Sequence, residues 1–272
     1  GPAVGLAVPS SLLAVAGGAG GAHAQAAAAV AADASAVAGA INPTDAVVQA
    51  FLLTFVSEIG DKTFFIAAIL AAGGNQDESG GRKVLTFFGA IAALAVMTFL
   101  AVAIGQVFHA VPELAGGLPI DDIASVLAFG FFGVKLLLDA SSMEDTSSML
   151  DEKEEAEEAV KESLPGWMSG GAVSAVLPPL VLQAFVLVFA AEIGDRSFIS
   201  AAALSAQGGY DGAAAVFTGG ITAHAIATAL AVLLGELISK YVTEKQLAYI
   251  GGTLFLIFAG TSAKSLLDGL GL

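Results

Sequence analysis

Long apolar segments recur along the chain, and each is long enough to cross a lipid bilayer. A transmembrane helix needs about 20 mostly apolar residues. Such windows lie at 47–72, 84–108, 122–140, 179–206, 213–238 and 246–267. Turn-forming residues separate them, as expected at helix ends. The pattern predicts an all-α membrane protein with six transmembrane helices.

The second half of the chain repeats the first. Residues 89–91 (GAI) match 219–221 (GGI), and residues 135–139 (KLLLD) match 264–268 (KSLLD). Each half contains three predicted spans. Because three is odd, the second half enters the membrane from the opposite side, which gives two inverted three-helix repeats related by an axis in the membrane plane. Secondary transporters commonly have this architecture.

The repeats divide the chain into four regions. Residues 46–140 form the first repeat and residues 179–272 the second. Residues 141–178 form an acidic linker, which we interpret as a solvated connector; the alternative is that its acids attract metal to the mouth of the pathway. Residues 1–45 are rich in Ala and Gly. We interpret them as a leader or targeting remnant, with a marginal seventh helix as the alternative.

Composition excludes several classes of function. Hydrophobic residues make up 56% of the chain and charged residues 13%, which is outside the range of soluble domains. The net charge of −15 argues against nucleic-acid binding, which requires clustered Lys and Arg. The absence of cysteine excludes disulfides and thiolate metal sites. No phosphate-binding loop or nucleophile arrangement points to an enzyme, and no cofactor is implied.

The basic residues of the loops predict the orientation. All lie on the face reached after the first, third and fifth spans: Arg82, Lys83, Lys153, Lys161, Lys240 and Lys245. By the positive-inside rule this face is cytoplasmic or its organellar equivalent, such as the stroma. Both termini are then expected on the opposite side.

One charged motif occurs twice inside apolar segments. Residues 57–63 (SEIGDKT) recur 134 positions later as residues 191–197 (AEIGDRS). An ionisable residue at the centre of a membrane helix costs roughly 2.5–3.5 kcal/mol, so six of them indicate a functional site. Buried structural salt bridges are the alternative, but simple pairing requires no excess of acids.

The motif acids are candidate metal ligands. On a continuous helix Glu58, Asp61 and Lys62 would project from one face. The inverted repeat would bring Glu192 and Asp195 opposite them near the midplane. Carboxylate oxygens suit Ca²⁺, Mn²⁺ or Mg²⁺, whereas Zn²⁺ and copper prefer imidazole or thiolate. We therefore predict a divalent-cation site.

The other motif residues are candidates for supporting roles. Lys62 and Arg196 are interpreted as fixed counter-charges, with release of an acid when metal arrives as the alternative. On a regular helix Thr63 and Ser197 point away from the acids and bond backbone carbonyls. If the helix unwinds at the motif glycine, these hydroxyls become possible ligands.

Three polar residues outside the motif are further candidates. Gln49 and Gln183 occupy equivalent positions before each motif, as supporting ligands or as ordinary polar residues at helix ends. His224 lies in the fifth predicted span, where the first repeat has Leu94. It is interpreted as a hydrogen-bonded core residue, with proton relay as the alternative.

Charge counting predicts proton coupling. Four acids against two bases leave two negative charges, which one divalent cation neutralises. Because an empty charged site crosses a low-dielectric barrier only at large cost, two protons are the natural replacement. We predict a secondary transporter that exchanges divalent cations for protons across a lipid bilayer. The alternatives are a passive cation channel and a non-transporting assembly factor.

The doubled signature E-x-G-D-[KR]-[ST] carries a family resemblance. In its two copies, at 58–63 and 192–197, the chain resembles membrane cation transporters of the Golgi and chloroplast manganese transporter family, over residues 46–268. The resemblance implies transport of Mn²⁺ and Ca²⁺ in exchange for protons, with the motif acids as ligands. The Ala-rich leader is similar to the chloroplast branch, which implies a thylakoid or inner-envelope location.

Overall fold

The computed structural model describes residues 46–73, 79–114, 119–143, 150–162 and 178–271. The predictions for residues 1–45 lie outside this part of the chain. The described helices are α1 (Ala46–Glu58), α2 (Lys62–Ala72), α3 (Ser79–Leu114), α4 (Ile120–Ser142), α5 (Leu150–Glu162), α6 (Pro179–Glu192), α7 (Arg196–Ala206), α8 (Gly209–Tyr241) and α9 (Glu244–Leu270). No strand occurs within the described ranges, and the prediction of an all-α protein is confirmed.

Four helices are long and apolar enough to cross a membrane. These stretches are Gly80–Ala110, Ile120–Ser142, Gly209–Gly235 and Glu244–Leu270. They coincide with the second, third, fifth and sixth predicted spans. Three shorter apolar helices, Ala46–Glu58, Lys62–Ala72 and Pro179–Glu192, cover much of the remaining apolar sequence. None of these three is long enough to cross a bilayer by itself.

The first and fourth apolar segments are each broken into two helices at the motif. Gly60 and Gly194 separate α1 from α2 and α6 from α7, with φ angles of 77° and 81°. Any other L-residue in this left-handed conformation costs about 1–2 kcal/mol. The prediction that Glu58, Asp61 and Lys62 share one face of a continuous helix is therefore wrong, because the chain leaves the helix at Gly60.

Glycines let α3 and α8 pack closely against the broken helices. At four of them an added Cβ would overlap an atom of the facing helix. The contacts pair Gly89 with Val181, Gly105 with Ala202, Gly219 with Val47 and Gly235 with Ala68. Small residues commonly allow such close approach in membrane bundles. As a result α3 lies against α6 and α7, while α8 lies against α1 and α2.

The remaining long helices, α4 and α9, pack against each other. Phe129 and Phe255 meet at 6.2 Å between ring centroids, and both are fully buried. The outer surface of the bundle carries large exposed apolar side chains, among them Phe88, Phe99 and Leu127. An apolar exterior of this kind is expected where a bundle contacts lipid.

The acidic linker contains a helix that is docked on the bundle. Ala156 of α5 is completely buried in the apolar cluster that includes α2, and Val160 packs against the same cluster. Glu154 and Glu158 lie on the exposed side. The interpretation of the linker as a solvated connector is therefore wrong for α5, because one face of this helix is part of the protein core.

Candidate cation site

A hydroxyl group holds each motif glutamate. Thr63 Oγ1 donates a hydrogen bond to Glu58 Oε2 at 3.1 Å, and Ser197 Oγ donates to Glu192 Oε1 at 2.6 Å. The two glutamates are only 4% and 2% exposed. Buried carboxylates require such partners. On a regular helix the hydroxyls of Thr63 and Ser197 were expected to point away from the acids. This expectation is wrong, because the break at the motif glycine turns both hydroxyls toward the glutamates.

The motif aspartates begin the second half of each broken helix. Asp61 accepts the backbone N–H of Thr63 at 3.4 Å, and Asp195 accepts that of Ser197 at 3.0 Å. These bonds cap α2 and α7 at the end where the helix dipole is positive. The aspartates therefore combine a local structural role with negative charge at the break.

Arg196 connects the two motifs across the molecule. Its Nη2 donates to the carbonyl oxygen of Ser57 at 3.1 Å and lies 4.0 Å from Asp61 Oδ1. Asp195 is close enough to Glu58 and Asp61 to interact with both electrostatically. Acids that are 134 positions apart in the sequence thus belong to one buried charged region.

His224 of α8 faces this region. Its Nδ1 lies 3.5 Å from Glu58 Oε1, and both side chains are buried. Neither His224 Nδ1 nor Glu192 Oε2 makes a hydrogen bond to any described protein atom. A buried polar atom without a partner costs about 1–3 kcal/mol. Glu192 Oε2, which as a carboxyl oxygen can accept, therefore favours a hydrogen-bond donor or a cation as its partner.

Two small cavities adjoin the glutamates. The first is lined by Glu58, Thr63, Phe64, Ala90, Leu94, Val188, Ala227 and Thr228. The second is lined by Thr54, Met97, Thr98, Ala101, Glu192, Ser197, Phe198, Ala201 and His224. Each has a volume of about 10 Å³, which is room for about one water molecule.

The two cavities differ in polarity. Thr54 and His224 of the second cavity stand where the first has Val188 and Leu94 at the sequence-equivalent positions. Each cavity is lined by one motif glutamate and by neither motif aspartate. Among the described residues, no three His, Asp or Glu side chains are close enough together to hold a metal ion. The shared four-carboxylate site stays a prediction.

The remaining candidates lie apart from the cavities. Lys62 Nζ bonds Glu155 Oε2 of α5 at 3.1 Å, whereas its equivalent Arg196 approaches a motif acid. The interpretation of both bases as counter-charges to the motif acids thus describes Arg196 alone. Gln49 is buried on α1 and Gln183 half-buried on α6, and neither lines the two cavities.

Glu152 of α5 is a neighbour of the site that the sequence analysis missed. Burial, together with the charges of Asp61, Glu155 and Glu244, raises the pKa of this carboxyl to about 7, although the charge of Arg196 acts in the opposite direction. The spacing of Glu152, Ala156 and Val160 puts them on one helical face. This spacing lies within a run of acidic residues, and it is the sequence pattern that could have identified Glu152.

We expect Glu152→Gln to change the pH dependence of thermal stability. The carboxyl has a pKa of 4.5 when unfolded and about 7 when folded. The folded protein therefore loses stability as pH rises from the first value to the second, and the loss is complete above it. The Tm of the variant minus that of the wild type should increase over this interval and then stay constant. Exposed Glu154→Gln is the control, and a pH-independent difference for Glu152→Gln would contradict the assignment.

The sequence matches a known family over residues 46–144 and 180–269. This family is described as divalent cation/proton antiporter GDT1. The chain belongs to the GDT1 family. The matched segments contain both motifs, so the resemblance drawn from the doubled signature is confirmed. Helix α5 lies between the two matched segments.

GDT1 relatives occur in plants and cyanobacteria. Protein PAM71, chloroplastic, from Arabidopsis thaliana is 44% identical over 225 residues, which is 80% of this chain and 56% of the relative. GDT1-like protein 1, chloroplastic, from Oryza sativa subsp. indica is 43% identical over 81% of this chain and 62% of the relative. A GDT1-like protein from Synechocystis is 38% identical, with 80% and 96% covered. The chain thus spans about three fifths of the two plant relatives. No solved structure matches it.

Proposed function

We propose that the chain is a secondary transporter that exchanges a divalent cation, Mn²⁺ or Ca²⁺, for protons. The observation that carries this proposal is the burial of acids from both motifs at the breaks of two apolar helices, joined by Arg196. Broken helices of this kind supply ion sites in transporters, because the helix ends offer polar backbone groups within the membrane. Family membership supports the same activity.

We also propose that α1 with α2, and α6 with α7, each form one broken transmembrane span. The chain would then have six spans in two inverted repeats. The contacts of the helices support this proposal: α3 packs on α6 and α7 through Gly89 and Gly105, and α8 packs on α1 and α2 through Gly219 and Gly235. Each half thus contacts the broken helix of the other half at equivalent glycines.

The topology of the linker tests the inverted arrangement. We expect an impermeant label to reach single cysteines at exposed Glu154 and at Lys83 from the same side of the membrane, and one at exposed Asp268 from the opposite side. The chain has no native cysteine to interfere. Labelling of positions 154 and 268 from one side would contradict the two inverted repeats.

The pH gradient tests the coupling. In proteoliposomes containing the purified chain, we expect a proton gradient to drive uphill movement of Mn²⁺ or Ca²⁺ in the opposite direction. The reason is that the carboxylates bind either the metal or protons. Metal binding should therefore weaken as pH decreases. Metal flux that ignores the pH gradient, with equal binding at acid and neutral pH, would support a passive channel instead.

The names of the relatives support a location. Because PAM71 and the rice GDT1-like protein are both named chloroplastic, we place this chain in a chloroplast membrane, either the thylakoid or the inner envelope. The basic face, with α5, would then lie in the stroma.

A further inference from the structure

The two basic residues of the doubled motif have different partners. Arg196 reaches across the molecule to the Ser57 carbonyl at 3.1 Å and to Asp61 at 4.0 Å. Lys62, at the equivalent position, instead bonds Glu155 of α5 at 3.1 Å. No ion pair joins Asp195 to a cation among the described residues. Arg196 of the second motif thus contacts the first motif, whereas Lys62 of the first motif bonds α5.

Helix α5 packs on α2, the helix that follows the break at Gly60. Ala156 is completely buried in the cluster that contains Ile59, the residue before the motif glycine. Glu152 interacts electrostatically with Asp61 and Arg196. Among the described helices, none occupies the equivalent position on α7, the helix that follows the break at Gly194.

The packing of α4 and α9 against the two broken helices also differs between the two halves of the chain. Helix α4 packs on α7, where Ser125 Oγ donates to the Ala203 carbonyl at 2.8 Å. Helix α9 packs on α1. Among the described helices, α9 makes no comparable contact with α2, nor α4 with α6. The α4–α9 pair therefore packs mainly against α1 and α7. Helix α5 packs on α2, with which α9 makes no comparable contact.

We propose that α5 is an autoinhibitory plug, in which Glu155 competes with Asp195 for Lys62. When α5 leaves, Lys62 turns to Asp195 and the Ala191 carbonyl, the groups equivalent to those that Arg196 binds in the first motif. Departure of α5 also uncovers the break at Gly60 and opens the site to the basic face. The inference rests on the proposed transport function, and it makes Lys62 a positioning residue for the second motif.

The contact that holds α5 is suited to reversible docking. The side chains of Lys62 and Glu155 are 32% and 62% exposed, and exposed ion pairs change an equilibrium by up to about fivefold. The other anchors are Ala156 and the partly buried Val160. Locally weak elements of this kind open without unfolding of the whole protein.

The absence of native cysteine permits a direct test of docking. A cysteine introduced by Ala156→Cys should react slowly with a maleimide, because position 156 is buried, and one introduced by Glu158→Cys should react fast. Adding Glu155→Gln should accelerate labelling at position 156 by up to about fivefold. The matched change Glu154→Gln, which removes an exposed charge one residue away, should not.

A second measurement guards against disturbance by the reporter. Hydrogen exchange of the α5 amides, measured by mass spectrometry without any introduced cysteine, should be faster in Glu155→Gln than in Glu154→Gln. If neither labelling nor exchange responds to Glu155→Gln, the plug is refuted.

Uptake of Mn²⁺ into proteoliposomes tests the role of Lys62. Glu155→Gln should increase the initial rate. The double variant Lys62→Gln with Glu155→Gln should show the same rapid labelling at position 156 but lose the uptake. Uptake equal to that of Glu155→Gln would overturn the positioning role. If the wild type transports neither Mn²⁺ nor Ca²⁺, the proposed function is wrong. The maleimide labelling and the hydrogen exchange would still show whether Glu155 holds α5.

Discussion

Asp61→Asn and Asp195→Asn are each expected to abolish most transport of Mn²⁺ or Ca²⁺. Each substitution removes one negative charge from the buried region that Arg196 crosses. Each variant thereby removes one charged oxygen ligand from the proposed site, and the affinity of a site for a divalent cation depends on the number of its charged ligands. Proteoliposome uptake with a fixed pH gradient measures the effect.

Asparagine separates the charge of these residues from their capping role. Asp61 and Asp195 accept the N–H groups of Thr63 and Ser197 at the starts of α2 and α7. Because Asn caps helices about as well as Asp, the variants should fold and melt close to the wild type. Alanine at either position should in addition lower stability by about 1 kcal/mol.

An exposed acid provides the matched control for these variants. Glu154→Gln removes the same charge from the outer side of α5. Because exposed charges are screened beyond about 8–10 Å at physiological salt, its effect on uptake should be small. Normal transport by Asp61→Asn or Asp195→Asn would show that the site lies elsewhere.

Gly219→Ala is expected to lower the thermal stability by several degrees. A Cβ at this position would overlap the Val47 carbonyl oxygen and lie 3.1 Å from Ala50 Cβ. Because backbone atoms cannot rotate away, α8 and α1 must separate. Overpacking of this kind costs about 1–3 kcal/mol, and each kcal/mol lowers Tm by about 2–4 °C in a chain of this size. Thermal unfolding of the purified protein in detergent measures the change.

Gly130→Ala is the control for this prediction. Position 130 lies within α4, and a Cβ there would meet nothing within 4 Å. Since alanine favours a helix over glycine by roughly 0.5–1 kcal/mol, this variant should be as stable as the wild type or more so. Equal melting of Gly219→Ala and Gly130→Ala would argue against the close packing of α8 on α1.

Much of the fold was readable from local sequence. Membrane-spanning helices depend on a run of apolar residues within one segment, so hydropathy alone located α3, α4, α8 and α9. The motif also showed which positions within the apolar segments are charged. The break of each motif helix was harder to predict, because a glycine within a helical pattern is compatible both with a continuous helix and with a break.

By itself the sequence determined the all-α architecture, the family and the positions of the motif acids within the apolar segments, because hydropathy and residue chemistry are local properties. Only the tertiary structure decided the partners of those acids. Arg196 bonds Ser57, 139 positions away, and Lys62 bonds Glu155, 93 positions away. Two bases at equivalent positions of one motif thus have different partners, because the partner of a side chain depends on which helix packs within its reach.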